Sequence, residues 1–157
     1  MDPWILAIRP KTLPAGLAPV ILGLAYGYWS CKHFDIVVAV ATVATGLLLQ
    51  VIANLNNDYF DFFSGVDNGE RLGPVRVTAS GLLAVAKVKR GIVLAHLMAL
   101  LLGSYLVVVG GWTIFFIGIL SLLFAYLYSA GPIPLSHYAL GEFLAWLFFG
   151  VVAVGGT

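Results

Sequence analysis

The run Ile36-Val37-Val38-Ala39-Val40-Ala41-Thr42-Val43-Ala44-Thr45-Gly46-Leu47-Leu48-Leu49-Gln50-Val51-Ile52 carries no charge, and Asn54-Leu55-Asn56-Asn57-Asp58-Tyr59-Phe60-Asp61 follows it almost at once. The first stretch is long and apolar enough for a membrane-spanning helix, which needs about 20 residues to cross roughly 30 Å of hydrocarbon. The second places amides and carboxylates at its end. At about 100° per residue, Asn54, Asp58 and Asp61 project in nearly one direction, with Asn57 beside them. An ionisable group at membrane depth costs about 2.5–3.5 kcal/mol on insertion scales, so it needs a partner or a task. Two carboxylates and two amides on one face cannot neutralise each other. They suit a hard divalent cation such as Mg²⁺, which takes oxygen ligands and commonly bridges to phosphate.

Working outward, the composition is that of a membrane protein. Apolar residues make up 61% of the 157-residue chain and charged residues 10%, against about 25% charged in soluble domains. Five apolar segments are expected, over residues 13–29, 36–55, 92–109, 113–128 and 140–157, with a polar loop over 56–91. Gly110-Gly111 predicts a tight turn between the third and fourth segments, and Gly131-Pro132-Ile133-Pro134 a break before the fifth. The fold class implied is an all-α, multi-pass membrane protein in the lipid bilayer. Arg9, Lys11, Arg71, Arg76, Lys87, Lys89 and Arg90 fall on one side of this arrangement and Lys32 alone on the other. The positive-inside rule then puts the N-terminus and the Asp-rich loop in the cytoplasm.

Other classes are excluded early. A net charge of +1 gives no basis for a nucleic-acid partner. A lone cysteine, Cys31, excludes an internal disulfide and an all-cysteine metal site. Met1 to Pro10 has no signal-peptide pattern. Glu142 either caps the fifth segment or faces its cavity. A cation transporter or channel segment using the Asn/Asp face is the main rival, since intramembrane polar residues also mark ion pathways. Against it, the carboxylates sit at one end of the segment rather than near the midplane. A CDP-alcohol phosphotransferase would need an Asp-Gly element where Asp61 is followed by Phe62-Phe63.

Asp67 and Glu70 lie just beyond the Asn/Asp face, and Arg71 and Arg76 follow. Carboxylates there would hold Mg²⁺ against a diphosphate, with Arg71 or Arg76 neutralising the remaining charge. A diphosphate at the mouth of an apolar bundle implies an isoprenyl tail along the helices. An allylic cation formed from it needs a dry, aromatic-lined pocket, for which Tyr59, Phe60, Phe62 and Phe63 are the nearest candidates.

Asn57-Asp58-Tyr59-Phe60-Asp61 resembles the first aspartate motif of the UbiA superfamily of intramembrane aromatic prenyltransferases. Gly65-Val66-Asp67 and the run Arg71-Leu72-Gly73-Pro74-Val75-Arg76-Val77-Thr78-Ala79-Ser80-Gly81 extend the likeness. With Arg9-Pro10-Lys11-Thr12-Leu13-Pro14 and Gly141-Glu142, they resemble the branch that prenylates 1,4-dihydroxy-2-naphthoate on the way to menaquinone. The resemblance implies a polyprenyl diphosphate donor, loss of the naphthoate carboxylate as CO₂, and a demethylmenaquinone product. It makes Asn54, Asp58 and Asp61 the Mg²⁺–diphosphate group and Asp67 a further acidic member. Arg76, with Arg71, Arg9 and Asn57 in support, becomes the diphosphate contact, and Asp58 and Asp61 the catalytic carboxylates. It also implies that the chain is the N-terminal part of a nine-helix bundle, inactive without a second aspartate motif.

Overall fold

In the computed structural model, residues 2–65, 74–130 and 140–157 are described. Asp67, Glu70 and Arg71 lie outside them, as does the Gly131–Pro134 break. The described residues are helical throughout their long elements. Short α1 (Pro3–Ile8) starts at Asp2, whose carboxylate accepts from Trp4 N–H at 2.7 Å, and ends at Arg9. Arg9 takes a left-handed backbone with φ +54°, a conformation that costs a non-glycine residue about 1–2 kcal/mol. This break lets Pro10–Thr12 form a 3₁₀ turn and α2 (Leu13–Cys31) set off as a separate helix.

Asp35 caps the next helix, accepting from Val37 and Val38 N–H at 2.8 and 3.1 Å, and α3 runs from Ile36 to Ser64. It therefore overruns the apolar segment at Leu55, so the Asn/Asp stretch is helical rather than part of a loop. A helix ends where its backbone bonds end, not where hydropathy falls, and here Gly65 stops it at φ +69°. α4 (Val85–Leu127) has 43 residues, about 65 Å at ~1.5 Å per residue. It breaks at Gly111, where φ 71° and ψ −159° are open to glycine alone. The chain doubles back there. Ala95 and Ala99 before the break, and Leu122 and Ala125 after it, all pack on Ile52 and Leu48 of α3. α5 (Leu140–Ala145) continues through a π-helical stretch (Trp146–Val152) into α6 (Ala153–Gly155).

Among the described residues, three helical stretches are long and apolar enough to cross a bilayer: Pro3–Cys31, Ile36–Ser64 and Val85–Leu127. Burial is inverted relative to a soluble protein. Leu94, Leu101, Val108 and Trp112 are exposed, as lipid-facing side chains are, while Gln50, Asn54, Asn56, Asp58, Asp61 and Arg76 are buried. Close packing fixes the frame. A Cβ on Gly91 would come within 2.8 Å of the Trp4 ring, and one on Gly23 within 2.6 Å of Thr157 Cβ. The His96 ring pairs with Ile92 O of its own helix at 2.8 Å.

Candidate functional site

The last turns of α3 meet the α1–α2 junction, the loop before α4 and the far end of α4. Asn54, on the face turned to the N-terminal segment, donates from Nδ2 to Ile8 O at 2.8 Å and Thr12 Oγ1 at 2.9 Å. These bonds fix the amide, so its oxygen is the atom left for the cavity that Asn54 lines. Asn57 lines the same cavity, and its Oδ1 accepts from Ser129 Oγ.

Asp58 is fully buried. Its Oδ1 accepts Thr78 N–H at 2.8 Å, its Oδ2 accepts Val77 N–H at 3.0 Å, and Arg9 Nη2 stands 3.7 Å from Oδ2. Asp61, one turn on, is paired with Arg76 Nη2 at 2.5 Å. The structure thus gathers Arg9, Asp58, Asp61 and Arg76 at one pole, two carboxylates against two guanidinium groups. Glu142 stands apart, exposed in the first turn of α5.

Arg76 arrives there because residues 76–83 fold tightly. Ser80 N–H donates to Arg76 O at 2.9 Å and Leu83 N–H to Val77 O at 3.0 Å, with Gly81 at φ +72° closing the turn. Val77 anchors this arch among Ala7, Leu55, Leu83 and Val88.

Below the pole lies a cavity of about 700 Å³, bounded by α2, α3, both arms of α4 and the C-terminal helix. Its aromatic wall is Phe115, Phe124, Tyr128, Phe148 and Phe149. The expected lining residues Tyr59, Phe60, Phe62 and Phe63 are not part of it. They lie beyond Asn57, the last α3 residue on the cavity wall, and form edge-to-face contacts with one another and with Tyr126.

Two participants escaped the sequence reading. Asn56 is fully buried and donates to Ala125 O at 3.0 Å, tying α3 to α4. Gln50 is buried on the cavity wall. A third Asn within four positions of an apolar helix is the signal that pointed to the first, since a buried amide in a membrane needs a partner. Among the described residues, no group of three His, Cys, Asp or Glu side chains converges for a metal.

The family model for UbiA prenyltransferases matches residues 16–157. The chain belongs to the UbiA prenyltransferase family. Among its curated relatives is a 1,4-dihydroxy-2-naphthoate octaprenyltransferase of Haemophilus influenzae, 36% identical over 98% of this chain and 52% of that protein. The enzyme of the same name from Escherichia coli is 35% identical with the same coverage. The UbiA prenyltransferase domain-containing protein 1 of Xenopus tropicalis is 29% identical over 96% of this chain and 44% of that protein. The chain thus spans about half the length of the curated relatives it matches. As a UbiA family member it is an all-α membrane protein, and its most polar helix end is also its most densely bonded one.

Proposed function

We propose that the polypeptide carrying these residues transfers a polyprenyl group from polyprenyl diphosphate to 1,4-dihydroxy-2-naphthoate, with decarboxylation, giving demethylmenaquinone. The observation that carries this reading is an Arg/Asp pole next along α3 to Asn54 and Asn57, which line an apolar cavity of about 700 Å³. That pairing suits an amphiphile with an anionic head and a hydrocarbon tail. The names of the relatives support the ring substrate.

UbiA prenyltransferases generally use a divalent metal, and Mg²⁺ is the ion we assign. The donors present fit a hard cation: Asn54 Oδ1 and the Asp61 carboxylate offer oxygens on one face of α3, and the aspartate motif adds Asp67 as a further acidic member. When bound, the metal would make diphosphate a better leaving group. The chain's own residues do the rest. Arg9 and Arg76 bind the anionic head, with Arg71 and Asn57 in support, and the pole is electrically balanced until that head arrives. Phe124, Tyr128 and Phe148 keep the reacting end dry and face a developing allylic cation.

The deciding assay uses membranes of a host lacking its own naphthoate prenyltransferase. The complete enzyme, given Mg²⁺, a polyprenyl diphosphate and the naphthoate, is expected to form prenylated product; absence of product overturns the assignment. Residues 1–157 expressed alone are expected to insert and yield none. The pole is assigned to the cytoplasmic face, where exposed Lys11, Lys87, Lys89 and Arg90 cluster while Lys32 ends α2 at the other side. A cysteine replacing Lys89 should be labelled only from the cytoplasm, and one replacing Lys32 only from outside.

A further inference from the structure

We infer that Asp58 is a positioning residue: its carboxylate clamps the backbone of the 76–83 arch and thereby presents Arg76 to the diphosphate, rather than ligating the metal. The inference rests on the proposed function and departs from the ligand role that the aspartate motif implies for this residue.

Three observations carry it. Both Asp58 oxygens are engaged by successive amides, Val77 N–H at 3.0 Å and Thr78 N–H at 2.8 Å, which fixes the orientation of the carboxylate. The Asp58 side chain is fully buried, whereas that of Asp61 keeps 11% of its surface exposed. The residue preceding the two clamped amides is Arg76, whose guanidinium reaches Asp61. A fork of two parallel N–H groups needs two acceptors. An aspartate supplies both; an asparagine supplies one and turns an N–H₂ against the second amide. Arg9, 3.7 Å from the same carboxylate, supplies the balancing charge. Asp58 therefore joins three chain segments, while Asp61 is left facing Arg76 and the site.

The test uses the complete enzyme in nanodiscs, with Asp58→Asn, Asp58→Ser and Asp61→Asn. Hydrogen exchange without metal is expected to quicken at least tenfold at Val77 and Thr78 in both Asp58 variants and to stay unchanged in Asp61→Asn. Mn²⁺ affinity, read by its electron spin resonance, is expected to stay within twofold of the parent in the Asp58 variants and to fall at least tenfold in Asp61→Asn. The KM for polyprenyl diphosphate should rise in the Asp58 variants, with Asp58→Asn, which keeps one acceptor oxygen at the same reach, closer to the parent than Asp58→Ser. Unchanged exchange at Val77 and Thr78, or Mn²⁺ affinity lost equally at both aspartates, overturns the clamp. If the parent binds no Mn²⁺, the proposed metal chemistry fails while the exchange measurement still decides the clamp.

Discussion

The polar pole and the cavity beneath it adjoin along α3, Asn54 and Asn57 of the cavity wall lying next to Asp58 and Asp61, and satisfy most of their polar groups in different ways. At the pole each charged side chain has a counterpart from a distant segment: Arg9 with Asp58 and Arg76 with Asp61. In the cavity the hydroxyls turn back on their own helix, Thr42 to Val38 O and Thr45 to Ala41 O, both at 2.8 Å. Gln50 does neither; its Oε1 is buried without a hydrogen-bond partner. The pole thus contributes order to the fold through long-range bonds. Apart from Asn54 and Asn57 at its upper rim, the cavity wall formed by α3 contributes almost none, and the difference separates residues whose loss should unmake the site from those whose loss should leave the fold intact or firmer.

Asp61→Asn is expected to have the largest effect, lowering prenyl transfer by roughly 100-fold or more, since the amide keeps the size but removes the charge placed at the reacting end. Turnover at the parent rate in host membranes would falsify its placement in the catalytic group. Arg76→Gln comes next. Hydrogen bonds to charged groups are worth about 1.5–3 kcal/mol, so the KM for the diphosphate should rise roughly 10- to 150-fold. A rise in the naphthoate KM alone would move Arg76 from head to ring.

At the cavity the sign reverses. Gln50→Leu removes an acceptor that has no partner, so thermal unfolding in detergent should show a gain of about 1 kcal/mol. A loss of stability there would mean that Gln50 packs against Gly16 more usefully than its chemistry implies. The smallest effect is expected at Asn56→Ala, which breaks the bond to Ala125 O. Interhelical hydrogen bonds in membranes average about 0.6 kcal/mol, and the unfolding midpoint should fall accordingly. A cost of several kcal/mol would place that contact among the pole's organising bonds.

Much of the helical frame was legible because hydropathy and glycine placement act locally. The apolar run from Ile36 and the Gly110-Gly111 pair have direct counterparts in α3 and in the reversal of α4 at Gly111. The pole was legible as a face, since Asn54, Asp58 and Asp61 share a direction on any helix. Their partners were not. Val77 and Thr78 lie 19 and 20 positions from Asp58, and Ser129 lies 72 from Asn57. The aromatic lining was misread for a related reason: Tyr59 and Phe60 lie beyond Asn57, the last α3 residue on the cavity wall, while Phe124 and Phe148 come from later segments.

By itself the sequence determined that this chain is built of apolar helices with one acidic helix end and a one-sided distribution of basic residues. These follow from the 3.6-residue repeat and from the cost of charge in hydrocarbon, which are properties of the chain before it folds. Only the tertiary structure decided that Asp58 bonds to backbone, that Asp61 meets Arg76, and that α2, α4 and the C-terminal helix close the cavity against α3. A carboxylate's role depends on which donors arrive within about 3 Å of it, and that is settled by how separate segments pack.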